Sequence, residues 1–200
     1  PERMEAYLQN YAAKTGYGGD TYWGGKSLTQ FGDYLTMAAD MDSTAQDGLK
    51  VSLSTALTDW FTYSSGEVEH YFARYDGYKA LVGFNESYGS SEFTDHHFHY
   101  GYFTCSAALL GLQDAQFLAE YGPMARLVAK QYANWERSDT EFPFLRTFDL
   151  WHGHSYAGGT SAGNGNNQES SSESMQSWTG LFLLGEAMDD SAMAAAGAMG

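Results

Sequence analysis

The sequence predicts an all-α fold made of helical hairpins, with room for one short β-hairpin between them. Apolar residues recur at helical spacing through most of the chain. Glycine, proline, serine and aspartate punctuate those stretches where helices would start and stop. No heptad seam and no clear internal repeat is present to turn the pattern into a coiled coil or a solenoid. The chain has 200 residues, enough for one domain with a core.

Met4, Tyr7, Leu8 and Tyr11 mark the face of a first helix, which Gly16-Tyr17-Gly18-Gly19 ends. Tyr22-Trp23-Gly24-Gly25 reads as more loop, displaying two aromatics. Ser27 is placed to cap a second helix striped by Leu28, Phe31, Leu35 and Ala38. Ser43 is placed to cap a third, with Leu49, Leu53, Leu57 and Trp60 on one side. Tyr71 to Asp76-Gly77, then Lys79 to Phe84, reads as a hairpin with Asp-Gly as its turn. Asp95 opens a helix running to about Gly111, with Phe98, Tyr102, Cys105, Leu109 and Leu112 as its buried stripe. His99 lies one turn on from Asp95. Asp114 to Tyr121 reads as a short helix, broken at Gly122-Pro123 and restarted with Pro123 in its first turn. Ser138 to Pro143 is a loop. Leu145 to Tyr156 is rich in polar aromatics and carries no clear period. A glycine-rich run, 158 to 165, feeds a helix marked by Met175, Trp178, Leu181, Phe182 and Gly185. Ser191 to Met199 is a last, alanine-rich segment.

Composition narrows the function. The formal net charge is -15, which argues against nucleic acid and against an anionic membrane surface, since both are held by Lys and Arg. No run is long and apolar enough to span a bilayer. The single cysteine, Cys105, rules out an intrachain disulfide. The chain holds 5 Trp, 15 Tyr and 12 Phe, rings that suit sugar faces as well as cores. A neutral ligand fits best.

The chemistry concentrates in Asn164-Gly-Asn-Asn-Gln-Glu-Ser-Ser-Ser-Glu173. Ser170-x-x-Glu173 has the form of a capping box, which by itself explains Glu173. Glu169 and Glu173 stand four apart, a repulsive spacing if both are helical. Around them are amides and hydroxyls with no cation in the stretch, a surface suited to hydroxyl-rich ligands. His96, His97 and His99 raise the question of zinc, but no HExxH or Cys/His framework accompanies them. The serines lack a GxSxG elbow, and the glycine run lacks the P-loop lysine. Paired carboxylates among aromatics and amides are the equipment of glycoside hydrolysis.

Three blocks carry a resemblance. They are Asp95-His-His-Phe-His-Tyr-Gly-Tyr-Phe103; Phe142-Pro-Phe-Leu-Arg146 with Phe148-Asp149 and Gly153-His-Ser155; and Asn166-Asn-Gln-Glu-Ser-Ser-Ser-Glu173. In content and order they resemble glycoside hydrolase family 81, endo-β-1,3-glucanases. Tyr22-Trp-Gly-Gly-Lys26 resembles a further upstream segment of that family.

The resemblance implies an (α/α)6 barrel preceded by a β-sandwich domain, hydrolysis with inversion, no cofactor or metal, secretion, and β-1,3-glucan as the partner. It implies Asp95 as general acid, Glu173 as general base and Glu169 as a second essential carboxylate. Inversion calls for acid and base about 6.5–9.5 Å apart. Tyr22, Trp23, Tyr100 and Trp151 are candidate sugar platforms, each equally able to serve as core. His99, His154, Asn167 and Asp76 are candidate substrate-binding partners. Tyr78-Lys79-Ala80 stands where the family's Trp-Gly-Gly is expected, which departs from one part of the groove.

Twelve helices with their loops exceed 200 residues. Residues 1–200 are therefore expected to be one partial catalytic domain, without the β-sandwich domain and the closing helices. Two other readings stand beside hydrolysis: a non-catalytic glucan-binding module, and a partner-binding helical repeat.

Overall fold

A computed structural model describes residues 2–159 and 167–200. Asn164, Asn166 and most of the glycine-rich run lie outside the described residues. Seven α-helices carry the described chain: α1 Glu2–Ala12, α2 Trp23–Asp40, α3 Gln46–Phe61, α4 His96–Gly111, α5 Ala115–Ala133, α6 Ser171–Ala187 and α7 Ser191–Met199. Two small antiparallel ribbons accompany them. β1 Tyr71–Tyr75 pairs with β2 Ala80–Phe84, and β3 Phe148–Asp149 pairs with β4 His154–Ser155.

The helices work as hairpins: α2 packs on α3, α4 on α5, and α6 on α7. The first helix of each hairpin lies beside the first helix of the next, and the close contacts give the direction. Gly25 faces Tyr102, Thr29 faces Ser106, and Gly32 faces Leu109. The offset is the same each time, so α2 and α4 run parallel. Gly101 faces Ser177 and Gly180 faces Cys105, so α4 and α6 run parallel too. The amide ends of α2, α4 and α6 therefore open on one rim. α4 is the middle helix and is buried along nearly its whole length, as expected of a helix apolar all round.

Several sequence expectations need correction. α2 begins at Trp23, four residues before the expected cap Ser27. Asp20 Oδ1 accepts from the Tyr22 and Trp23 amides at 2.7 and 2.8 Å and organises that turn. Ser27 sits inside the helix, donating back to the Trp23 carbonyl. α5 is one continuous helix through Pro123. Asp114 caps it on the Phe117 amide at 2.9 Å, and burial of Phe117, Ala125, Val128 and Tyr132 outweighs the proline penalty. The unassigned stretch 145–156 holds the β3–β4 ribbon. The Asp76 hairpin forms, with its connection lengthened into a helical turn at Asp76–Tyr78 and Lys79 left-handed at φ 50°.

A candidate active site on the helix-start rim

Asp95 precedes α4 with φ 57°, a left-handed backbone that aspartate tolerates better than most residues. Its side chain makes no capping bond, and its buried Oδ1 has no hydrogen-bond partner among the described residues. The backbone does the anchoring. The Asp95 amide donates to the Ala157 carbonyl at 2.9 Å, and the Ala157 amide donates to the Asn167 carbonyl at 2.9 Å. One residue, Ala157, thus ties the start of α4 to the approach to α6. Burial, then the charges of Glu169 and Glu173, push the Asp95 carboxyl up to about 7.

Glu173 sits in the first turn of α6. Ser170 caps that helix, accepting from the Glu173 amide at 3.5 Å. Half of the expected capping box forms. The Glu173 carboxylate does not take up the Ser170 amide, which instead donates to the Gln168 carbonyl at 2.8 Å. It reaches out to α2 and α4. Tyr22 donates to Oε1 at 3.0 Å, Lys26 donates to the same oxygen at 3.0 Å, and Tyr102 donates to it as well. Lys26 also donates to the Tyr22 hydroxyl at 3.1 Å. Burial opposes ionisation of Glu173. The bonds from Tyr102, Lys26, Ser170 and Tyr22 together outweigh it and hold the carboxyl down to about 2.

The third expected carboxylate, Glu169, is exposed and left-handed at φ 63°. Its amide donates to Asn167 Oδ1 at 3.0 Å, which places Asn167 as a support of the loop. Its charge reaches Asp95, so all three carboxyls share the rim.

His99 is buried. Its Nδ1 pairs with Thr21 Oγ1 at 2.7 Å, its ring lies 5.3 Å from that of Tyr22, and its Nε2 has no partner among the described residues. Burial keeps it neutral, near 4. Tyr22 and Trp23 form an aromatic edge with Tyr88, whose hydroxyl accepts from Trp23 Nε1 at 3.2 Å. Trp23 is 54% exposed.

Other candidates lie elsewhere. Tyr100, expected as a sugar platform, is 0% exposed, and its hydroxyl accepts from the Gly83 amide at 3.0 Å. The core occupies its ring. Trp151, at the tip of the β3–β4 ribbon, is 92% exposed. His154 is half-buried and donates from Nδ1 to the Ser155 carbonyl at 2.8 Å. Asp76 is exposed at its hairpin tip and pairs with Arg74 at 2.8 Å, apart from the Glu173 cluster. His96 is committed to the core, donating to the Ser90 carbonyl at 2.5 Å and pairing with Gln131 at 2.8 Å. Among the described residues, no three of His, Cys, Asp and Glu converge to hold a metal ion.

Lys26 and Tyr102 join the site without having been singled out in the sequence. The spacing of Lys26, one turn after Tyr22 on the same helix, was a usable signal. Tyr102 looked like core, and its ring is; only its hydroxyl reaches Glu173.

Comparison with known proteins agrees with the helical fold. The model of the "Glycosyl hydrolase family 81 C-terminal domain" matches residues 4–200. A glucan endo-1,3-beta-D-glucosidase of Acetivibrio thermocellus is 44% identical over 173 residues, covering 84% of this chain and 22% of that protein. One from Thermobifida fusca is 38% identical over 176 residues, covering 86% of this chain and 23% of its own length. The solved structure of a mutant glycoside hydrolase family 81 protein from Clostridium thermocellum superposes with a TM-score of 0.89 at 39% identity, over 99% of this chain and 28% of that one. This chain therefore spans less than a quarter of the two curated relatives, and within that span it belongs to glycosyl hydrolase family 81.

Proposed function

We propose that residues 1–200 are the acid-and-base part of the catalytic domain of a secreted endo-β-1,3-glucanase, and that the reaction inverts the anomeric centre. The observation that carries this reading is the opposite poise of two carboxyls on one rim. Asp95 is pushed up to about 7, by burial first and by neighbouring charge second, while Glu173 is held down to about 2 by the donors that outweigh its burial. Two carboxyls driven apart by their surroundings make an acid and a base.

In this reading Asp95 donates its proton to the glycosidic oxygen as the bond to the anomeric carbon breaks. Glu173 takes a proton from the water that attacks the opposite face of the ring. After one turnover Asp95 is ionised and Glu173 protonated, and exchange with solvent resets both. The charge of Glu169 acts on Asp95 and favours its protonated form. His154, Tyr22, Trp23 and Trp151 are the proposed contacts for glucose units, with Asn167 shaping the loop that carries Glu169; His99, fully buried with Nδ1 on Thr21, backs the Tyr22 ring instead of meeting a sugar.

The unfinished side of α6 supports the reading of a partial barrel. Met175 and Phe182, two turns apart, stand exposed on that helix, where the next helical hairpin of an (α/α)6 barrel would pack.

The test is product release from a linear, soluble β-1,3-glucan, with Glu173→Gln as the blank, followed by the anomeric configuration of the first product read by proton NMR. It is run on this chain and on a form extended at both ends. Release of α-anomeric oligosaccharides that depends on Glu173 is the expected result. Glucan binding without release by either form would favour a non-catalytic binding module.

A further inference from the structure

Asp95, Glu169 and Glu173 share one rim, and like charges in a partly buried site do not all ionise freely. A proton shared among such groups belongs to the set until something assigns it. Hydrogen bonds from neutral donors bias the choice. A charged donor biases it as well, because its hydrogen bond to an ionised carboxylate is charge-assisted at both ends.

Among the described residues, these three carboxylates make one ion pair, Lys26 Nζ to Glu173 Oε1 at 3.0 Å. The ammonium is held in place. Tyr22, one turn earlier on α2, accepts from it at 3.1 Å and offers its ring face at 4.8 Å from the ring centre. Oε1 also receives Tyr22 and Tyr102. Three donors fill an oxygen that has two lone pairs, so a further donor such as water is directed to Oε2.

The titratable groups facing Glu173 are Tyr22 and Lys26 from α2, and Asp95, His97, His99 and Tyr102 from α4 and its start; Glu169, on the approach to α6, acts on Asp95. Burial keeps His97 and His99 neutral. The tyrosines are neutral, and the other two groups are carboxyls. Lys26 is the cation of the set.

We infer that Lys26 is a positioning residue that assigns the two catalytic roles: its ammonium on Oε1 of Glu173 keeps the proton on Asp95 and turns Oε2 toward the attacking water. This rests on the acid–base reading above and deepens it. Lys26 itself need not touch glucan.

The deciding experiment reads protonation without requiring turnover. This chain, labelled with carbon-13 at its glutamate carboxyls, is titrated by NMR beside Lys26→Met and Lys26→Arg. The Glu173 signal is assigned from its loss in Glu173→Gln, and folding is checked by circular dichroism. The expected result is a rise of the Glu173 midpoint by at least about one unit in Lys26→Met, largely reversed in Lys26→Arg. Should Lys26→Met not fold, Lys26→Gln takes its place. A midpoint that stays within about 0.3 unit of native in the uncharged variant overturns the proposal.

The catalytic form provides a second readout. Lys26→Met is expected to lower kcat and to move the acid limb of the pH profile upward, with KM within about twofold. A rise in KM alone would make Lys26 a substrate contact and overturn the assignment. Failure of the parent reading looks different: cleavage would persist in Glu173→Gln whatever the NMR midpoint does.

Discussion

Gly101 of α4 faces Ser177 of α6 so closely that a Cβ at position 101 would stand 2.2 Å from the Ser177 Cβ and 2.7 Å from its Cα. That approach is one of the contacts setting how far apart the two proposed catalytic helices lie. Gly101→Ala is expected to force the helices apart and to cost about 1–3 kcal/mol of stability, as overpacking does. A thermal melt followed by circular dichroism checks the stability. Because Asp95 and Glu173 lie one to two turns toward the rim from this contact, activity should fall more steeply than the loss of folded protein accounts for.

Asp95→Asn and Glu173→Gln are expected to lower kcat by about 10²–10⁴-fold each, the usual range for general acid–base groups, and to leave glucan binding within about threefold of native. Isothermal titration with a β-1,3-gluco-oligosaccharide separates the two quantities. Equal losses of binding and turnover would mean that these side chains hold substrate rather than carry out chemistry.

The pKa displacements predict opposite stability slopes. Asp95 is raised above its unfolded value, to about 7, so the folded state binds its proton more tightly and stability falls as pH rises from about 4 to about 7. Glu173 is lowered to about 2. Its contribution is present above about pH 4.5 and is lost as pH falls toward 2. Melting curves of Asp95→Asn should lose the first slope, and those of Glu173→Gln the second. On the same grounds kcat/KM of the catalytic form should be level in weak acid and decline above about pH 7, where Asp95 gives up its proton.

Exposed rings and buried ones should respond differently. Trp151→Ala and Trp23→Ala are expected to weaken glucan binding by about 0.5–1.5 kcal/mol each, with little change in melting temperature at Trp151. Tyr100→Phe is expected to do the reverse. It strands the Gly83 amide in the core, at a cost of about 1–3 kcal/mol in stability, and leaves affinity unchanged in whatever remains folded.

Where the sequence was legible, a short-range rule was at work. Asp95 opens α4, Ser170 caps α6, the last helix spans Ser191 to Met199, and Asp-Gly turns the hairpin; each follows from residues within a few positions. The misplaced elements are those where packing overrides local preference. Pro123 lies inside α5 because buried neighbours on both sides hold the helix through it. α2 starts at Trp23 because Asp20 takes up the Tyr22 and Trp23 amides, a full turn before Ser27. Leu145 to Tyr156 carried no period because its two-residue strands are too short to show one. The site divides in the same way. Its carboxylates were legible as motifs, but the donors that separate their roles come from α2 and α4, more than 70 positions away from Glu173. Tyr100 and Tyr102 sit two apart on α4 with similar local surroundings, and only the fold sends one hydroxyl to a core amide and the other to Glu173.

The left-handed backbone at residue 95 has a consequence for which acids the position will accept. That conformation suits aspartate, asparagine and glycine and disfavours most other side chains. Glutamate would bring the same carboxyl chemistry at the wrong reach and on a backbone it resists. The choice of aspartate for the proposed proton donor is thus dictated by the shape of the main chain as much as by acidity. It also limits the usual tools: an alanine at this position would report strain mixed with lost chemistry, whereas asparagine keeps the shape and removes the acid alone.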